Sequence, residues 1–323
     1  MKLSIVTTLY RSASHLEEFY QRASRAAREV TADYELVLVN DGSPDDSLAM
    51  AVKLVAADER VRVIDLARNF GHHKAMMTGL AHAGGDLVFL IDCDLEEDPE
   101  LLVEFARVLE NSAADVVYGV QRGRRGGLGE RWSGKIFFAL FNLLSDTPIP
   151  ENVVTVRLMK RPYVSALVSH REREMMIAGL WALTGFRQVA VAITKHARSP
   201  TTYGLRHRLA VLVNSITSFS SRPLELIFYL GLAIGFAASL AAGYLIIRRL
   251  FFGIYLQGWP SLIVSVWLLG GLILACLGVI GIYLSKIFIE AKQRPYTIVR
   301  EIYEQTPDGV RSRDARDSRA LLL

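Results

Sequence analysis

The 323-residue chain predicts an α/β protein: a mostly parallel, Rossmann-like sheet wound with helices on both faces, then amphipathic interfacial helices and a two-helix transmembrane hairpin. Three observations predict it. Apolar, β-branched runs alternate with segments of helical period through the first 120 residues. The acidic pair Asp92-Cys93-Asp94 leaves the end of one such run, Leu87-Val88-Phe89-Leu90-Ile91. Two uncharged apolar stretches fall between residues 224 and 289.

The elements follow in order. Residues 3–9 are apolar and β-branched, as in a strand buried on both faces. Residues 14–30 have helical spacing, and 35–39 form a second strand. That strand runs into Asn40-Asp41-Gly42-Ser43-Pro44-Asp45, which joins turn residues to a helix start. Helix 47–57, strand 61–66, helix 74–83 and strand 87–91 come next. Helix 99–110 carries Pro99 in its first turn, and strand 115–120 closes the series. In such sheets ligands bind beyond the carboxyl ends of the strands. The polar clusters 41–46, 68–73 and 92–98 all fall there.

From residue 126 the pattern changes. Residues 131–144 are amphipathic, with Trp132, Ile136, Phe137, Leu140 and Phe141 interleaved with Arg131 and Lys135. Residues 153–159 read as strand, 174–183 as helix and 188–194 as strand. Residues 203–221 are amphipathic again, and both amphipathic segments suit a membrane interface. Residues 226–247 hold no charge over 22 positions, about 33 Å as a helix and enough to cross a bilayer core. Residues 261–285 form the second span, with Gln257-Gly258-Trp259-Pro260 as the interfacial loop. Arg222 precedes the first span, Lys286, Lys292 and Arg294 follow the second, and only Arg248 and Arg249 lie between. That balance places both termini, and the domain of residues 1–200, on the cytoplasmic side of an inner membrane. The tail of 290–323 reads as partly mobile, since Arg and Asp outnumber apolar residues after Tyr303.

Composition agrees. The hydrophobic fraction is 51 % and the mean hydropathy +0.26, with the surplus concentrated in 224–289. The net charge of +4 is small, and nothing in its pattern calls for a nucleic-acid partner. Basic residues cluster at Arg122, Arg124, Arg125 and Arg131, which suits phosphates or anionic headgroups, with plain solvation as the competing reading. The two cysteines fit a reducing compartment, and no secretory signal peptide is visible before the first strand.

The chemistry starts from Asp92 and Asp94. Two carboxylates one residue apart at a strand end can hold a divalent cation, which would neutralise a diphosphate leaving group. A solvated loop or helix cap is the other reading of the pair.

Residues Leu3 to Leu9 with Tyr10, then Val39-Asn40-Asp41-Gly42-Ser43, Arg68-Asn69-Phe70-Gly71 and Asp92-Cys93-Asp94-Leu95 occur in order. Arg157-Leu158-Met159, Thr201-Thr202-Tyr203 and the 218–224 approach to the first span complete the set. Together they resemble the family 2 glycosyltransferases of the dolichyl-phosphate mannose synthase type, above all bacterial polyprenyl-phosphate glycosyltransferases with two membrane spans. The likeness covers residues 1–296.

The resemblance implies a GT-A fold, a nucleotide-sugar donor (UDP-linked by likeness), Mg²⁺ or Mn²⁺, and polyprenyl phosphate as acceptor, here undecaprenyl phosphate. It also implies inversion at the anomeric carbon, a role in cell-envelope glycans and a homotetramer. By the same likeness Asp41, Tyr10 and Ser43 meet the nucleotide, Asp92 meets nucleotide or metal, and Asp94 ligates the metal. Glu96 stands where the family commonly has Gln and joins the metal set. Arg122 and Arg131 would hold donor or acceptor phosphates, with Arg125 and Lys135 beside them. An acceptor phosphate is already largely ionised near neutral pH and needs no strong base. Thr155 stands where many relatives carry Asp, which leaves the donor sugar open. His72 and His73 read as loop residues. Another lipid or glycan acceptor, or an inactive nucleotide-sugar-binding relative, remain the competing readings.

Overall fold

The computed structural model describes residues 1–121, 152–173, 177–196, 217, 220–252, 258–307 and 309–314. Its chain divides into two units. One comprises Met1–Lys135, Ile149–Tyr203 and Arg294–Leu323; the other comprises Ile136–Pro148 and Gly204–Gln293.

The first unit is built on a nine-stranded sheet. In chain order its strands and helices are β1 (Leu3–Leu9), α1 (Leu16–Val30), β2 (Tyr34–Asn40), α2 (Ser47–Ala57), β3 (Val61–Leu66), α3 (His72–His82), β4 (Leu87–Leu90), α4 (Leu101–Glu110) and β5 (Val116–Gln121). Then come β6 (Val153–Lys160), α5 (Arg161–Ser169), α6 (Ile177–Leu183), β7 (Gln188–Ile193), β8 (Val299–Thr306) and β9 (Gly309–Asp314). The spatial order is β7-β5-β6-β4-β1-β2-β3-β8-β9. β1 pairs in parallel with both β2 and β4, β2 with β3, and β5 with β7; β6 and β8 alone run against the rest. The sheet is therefore mixed and mostly parallel, as the alternation predicted.

Every residue of β1 and β2 is buried, because helices cover both faces. The period of two sorts the side chains. Leu3, Ile5, Leu9, Leu36, Leu38 and Phe89 join the core formed with α1, α2 and α4. Val6 and Val39 face α3, and Gly79 lets that helix sit close: a Cβ there would come within 2.5 Å of Val6 and 2.9 Å of Val39. Strand order reverses between β1 and β4, so their carboxyl ends open a crevice at the switch point.

Two features were not expected from the sequence. Residues 161–169 form a helix the periodicity did not signal, with Pro162 in its first turn and Tyr163, Val164 and Leu167 buried. Within the tail, expected to be partly mobile, β8 and β9 form two strands. β8 pairs antiparallel with β3 and buries Ile302, and β9 returns along β8. Backbone pairing to an open sheet edge outweighs the polarity of the tail's side chains. The amphipathic segments 131–144 and, apart from Thr217, Ser220 and Ser221, 203–221 lie outside the described residues.

The second unit contains two long helices, α7 (Arg222–Phe252) and α8 (Trp259–Ala291), which pack against each other. The Tyr283 hydroxyl donates to the Ser220 carbonyl oxygen at 2.6 Å, tying α8 to the start of α7. Among the described residues one helix segment, Ser265–Ala291, is long and apolar enough to cross a membrane, and none of its apolar window is buried.

Candidate active site

The crevice at the β1 and β4 ends is formed by three loops that are stitched together. Ser43 Oγ accepts the Arg11 N–H at 2.7 Å, Asp45 accepts the Ala13 N–H at 3.1 Å, and Ser47 Oγ accepts the Ser12 N–H at 3.0 Å. These bonds fasten the β1–α1 loop to the β2–α2 loop. Gly42, at φ +59°, approaches the third loop so closely that a Cβ would lie 2.4 Å from the Asn69 nitrogen.

Asp41 secures that third loop. Its carboxylate accepts the N–H groups of Phe70 and Gly71 at 2.7 and 3.1 Å, and the residue is only 2 % exposed. Burial raises its pKa against the pull of those two amides. Asp41 therefore holds the Arg68 to Gly71 loop at the end of β2. Tyr10 stands 46 % exposed at the end of β1, next to Arg11. Ser43 Oγ takes part in the loop seam.

Asp92 lies at the centre. His72, the first residue of α3, spans β1 and β4: Nδ1 lies 2.9 Å from Thr8 Oγ1 and Nε2 lies 3.2 Å from Asp92 Oδ1. That last approach is off-line and leaves Oδ1, a buried atom, without an aligned hydrogen bond. Burial would push the imidazole's pKa down, but the Asp92 carboxylate outweighs it and the pKa is raised. Burial likewise opposes the Asp92 charge, and His72 and the Thr155 hydroxyl together hold its pKa below the ordinary value. So Thr155 sits against the central carboxylate.

Asp94 accepts the Glu96 N–H at 2.9 Å across Leu95, which is held at φ +59°. A left-handed non-glycine residue costs about 1–3 kcal/mol, and such strain collects at functional sites. The buried Leu95 side chain anchors the turn. Burial, then repulsion from Asp92 and Glu96, raises the Asp94 pKa.

The chain leaving β7 supplies the cation. Lys195 Nζ lies 3.0 Å from Glu96 and 3.5 Å from Glu97. Glu97 is 1 % exposed, and neither oxygen has an aligned donor among the described residues. Burial and the charges of Asp92 and Asp94 push its pKa up to about 7. Arg157, fully buried, stacks on Trp181 and gives hydrogen bonds to the Thr155 and Val154 carbonyl oxygens.

The structure thus brings Asp92, Asp94 and Glu96 to one loop but turns Glu96 toward Lys195. No three His, Cys, Asp or Glu among the described residues converge as a metal set. Asp92 and Asp94 still fit a divalent cation: the donors are all oxygen, one Asp92 oxygen lacks an aligned partner, and mutual repulsion marks excess negative charge. Arg122 and Arg131 lie outside the described residues. The sequence reading missed His72, Lys195 and Glu97. Their signals were a histidine at a helix start, a lysine just past a strand's carboxyl end, and an acidic run longer than the motif.

The sheet carries its acidic groups beyond the carboxyl ends of β1 and β4, at the point where strand order reverses. The family profile described as "Glycosyl transferase family 2" matches residues 4–168, and the chain belongs to that family. It is 56 % identical over 303 residues to a Mycobacterium tuberculosis protein named "Putative glycosyltransferases", covering 94 % of this chain and 89 % of that one. It is 31 % identical over 313 residues to the SfII prophage-derived bactoprenol glucosyl transferase of Shigella flexneri, covering 95 % of this chain and all of that one. A solved mannosyltransferase, PcManGT from Pyrobaculum calidifontis in complex with GDP-Man and Mn²⁺, has a TM-score of 0.45 at 17 % identity, over 90 % of this chain and 85 % of that one. That likeness is too slight to carry an argument about ligands.

Proposed function

We propose that this glycosyltransferase moves a sugar from a nucleotide-sugar donor to a polyprenyl phosphate at the cytoplasmic face of the membrane. The observation that carries it is the acidic cluster Asp92–Asp94 at the sheet's switch point, in a chain that aligns almost end to end with a bactoprenol glucosyl transferase.

Each residue has a task in this reading. Tyr10 and Arg11 border the crevice where the nucleotide would lie. Asp41 keeps the Arg68 to Gly71 loop in place beneath it. Asp92 and Asp94 would hold a Mg²⁺ or Mn²⁺ ion, which supplies countercharge to a diphosphate leaving group. His72 and Thr155 fix the orientation of Asp92. Lys195 restrains the Glu96–Glu97 corner beside the two aspartates. Preorganised charge of this kind is the largest catalytic term available to such a site. The acceptor phosphate brings its own nucleophilic oxygen, so a strong protein base is not required. Arg122 and Arg131 are assigned to its phosphate on the family resemblance.

In the same reading α7 is the first span and α8 the second. The uncharged stretch of 22 residues in α7 supports that, and the pair would keep the catalytic unit beside a lipid acceptor.

The test is a panel of labelled nucleotide sugars given to membranes containing the protein and undecaprenyl phosphate. A lipid-soluble product released by mild acid supports the reading. Label in an acid-stable lipid or a glycan points to another acceptor, and no transfer from any donor sinks it.

A further inference from the structure

The chain returning from α8 ties down one end of the loop that Asp41 holds at the other. Ala67, the residue before the Arg68 to Gly71 loop, is fastened through both of its backbone groups. Its N–H donates to the Ile298 carbonyl oxygen at 2.9 Å, and its carbonyl oxygen accepts from Arg300 Nη2 at 2.7 Å. Arg300 Nη1 also lies 3.3 Å from Asp65 Oδ2, a carboxylate on β3 that is 1 % exposed. The other Asp65 oxygen accepts Asn40 Nδ2 at 2.7 Å, and Asn40 precedes Asp41. Further back, Thr297 Oγ1 lies 2.8 Å from Thr78 Oγ1 on α3, and the Arg294 carbonyl oxygen accepts from Arg173 Nε at 2.8 Å.

These contacts converge. The loop that faces the crevice has no regular secondary structure between Leu66 and His72. Its far end is held by Asp41 at Phe70 and Gly71, and the helix that follows presents His72 to Asp92. Its near end depends on residues more than 230 positions later in the chain. We infer that residues 294–300 act as a positioning strap for the donor site: Arg300, with Thr297, sets the Arg68 to His72 loop and thereby the nucleotide side of the crevice, without touching substrate. The inference rests on the proposed donor site.

The strap carries more than edge pairing. β8 would need only backbone bonds to extend the sheet. Arg300 instead sends its two terminal nitrogens to two partners, a fork that a lysine cannot reproduce. A buried Asp65 left without that cation must relax or take up a proton, and Asn40 and the loop would shift with it.

The test compares wild type with Arg300→Ala, Arg300→Lys and Thr297→Val, all as full chains in detergent. Two readings are taken: kinetics against donor, and amide hydrogen exchange at Phe70 and Gly71. The inference expects Arg300→Ala to raise the donor KM roughly tenfold, with a smaller change in kcat, because a loop misplaced by about 1 Å costs binding and alignment. It expects faster exchange at both amides. Arg300→Lys should recover part of the effect, and Thr297→Val should show a weaker form of it even if Arg300→Ala does not fold. An unchanged KM and unchanged exchange in Arg300→Ala, or in Thr297→Val and Arg300→Lys should that variant not fold, would overturn the strap. If wild type itself shows no turnover with any donor, the donor reading fails first. The exchange rates still decide whether the strap holds the loop.

Discussion

Leu36 in β2 and Leu274 in α8 are the same residue in two different surroundings. Leu36 is fully buried under helices, whereas Leu274 is 71 % exposed on a helix whose apolar window has no buried residue. In the sheet unit, apolar side chains are removed from water by the protein's own layers. In the helical unit they stay outward, and in the proposed reading a bilayer covers them. The mean hydropathy of the whole chain blends these two regimes, so placement carries more information than the total.

The largest expected effect separates function from stability within the sheet unit. Asp94→Asn should lower transfer by roughly 10²–10³-fold, the scale of losing one preorganised electrostatic contact. Its melting temperature should stay level or rise, since repulsion from Asp92 and Glu96 is relieved. Steady-state transfer and a thermal melt on the same sample check both halves. A variant that loses activity only because it melts would remove Asp94 from the site.

Next comes the direct contrast between the two leucines. Leu36→Ala should destabilise the sheet unit by about 2–5 kcal/mol, through lost burial and the cavity left behind. Leu274→Ala leaves no cavity in the protein and should cost well under about 1 kcal/mol. Denaturant unfolding in detergent, followed separately for the two units, measures the difference. Equal costs would mean that α8 is packed against protein.

Gly79→Ala should cost about 1–3 kcal/mol, because the new methyl meets Val6 and Val39 beneath α3. Its thermal midpoint reports this.

The smallest effect is a pH dependence at Glu35. Burial opposes its charge, but Ser4, the Gly84 N–H and Lys2 hold its pKa below the usual glutamate value. A folded pKa below the unfolded one stabilises the protein above the unfolded pKa, and that stability is lost as pH falls through the folded pKa. Glu35→Gln should flatten this acid limb by about 1 kcal/mol. Melting temperatures at neutral pH and below the ordinary glutamate range test it.

The strands and helices through residue 121 were legible because burial on both faces leaves long apolar runs, and 3.6-residue spacing marks the covering helices. Asp92 and Asp94 were legible because a strand end followed by spaced carboxylates is a local pattern. The rest was not local. His72 acquires its meaning from Thr8 and Asp92, and Lys195 acquires its meaning from Glu96 and Glu97. No window of sequence joins those positions. The β8–β9 hairpin falls where the sequence mixes Arg and Asp with few apolar residues, so no strand period marks it. Asp41 is similar: its motif is local, but its bonds to Phe70 and Gly71 join positions about thirty residues apart.

The most direct test of the account is calorimetric binding of the donor's nucleoside diphosphate to wild type and Asp94→Asn, each with Mn²⁺ and with chelator. The account predicts that Mn²⁺ tightens binding to wild type at least about tenfold and does nothing for the variant, a difference of about 1.4 kcal/mol. Equal affinity in all four titrations would contradict it.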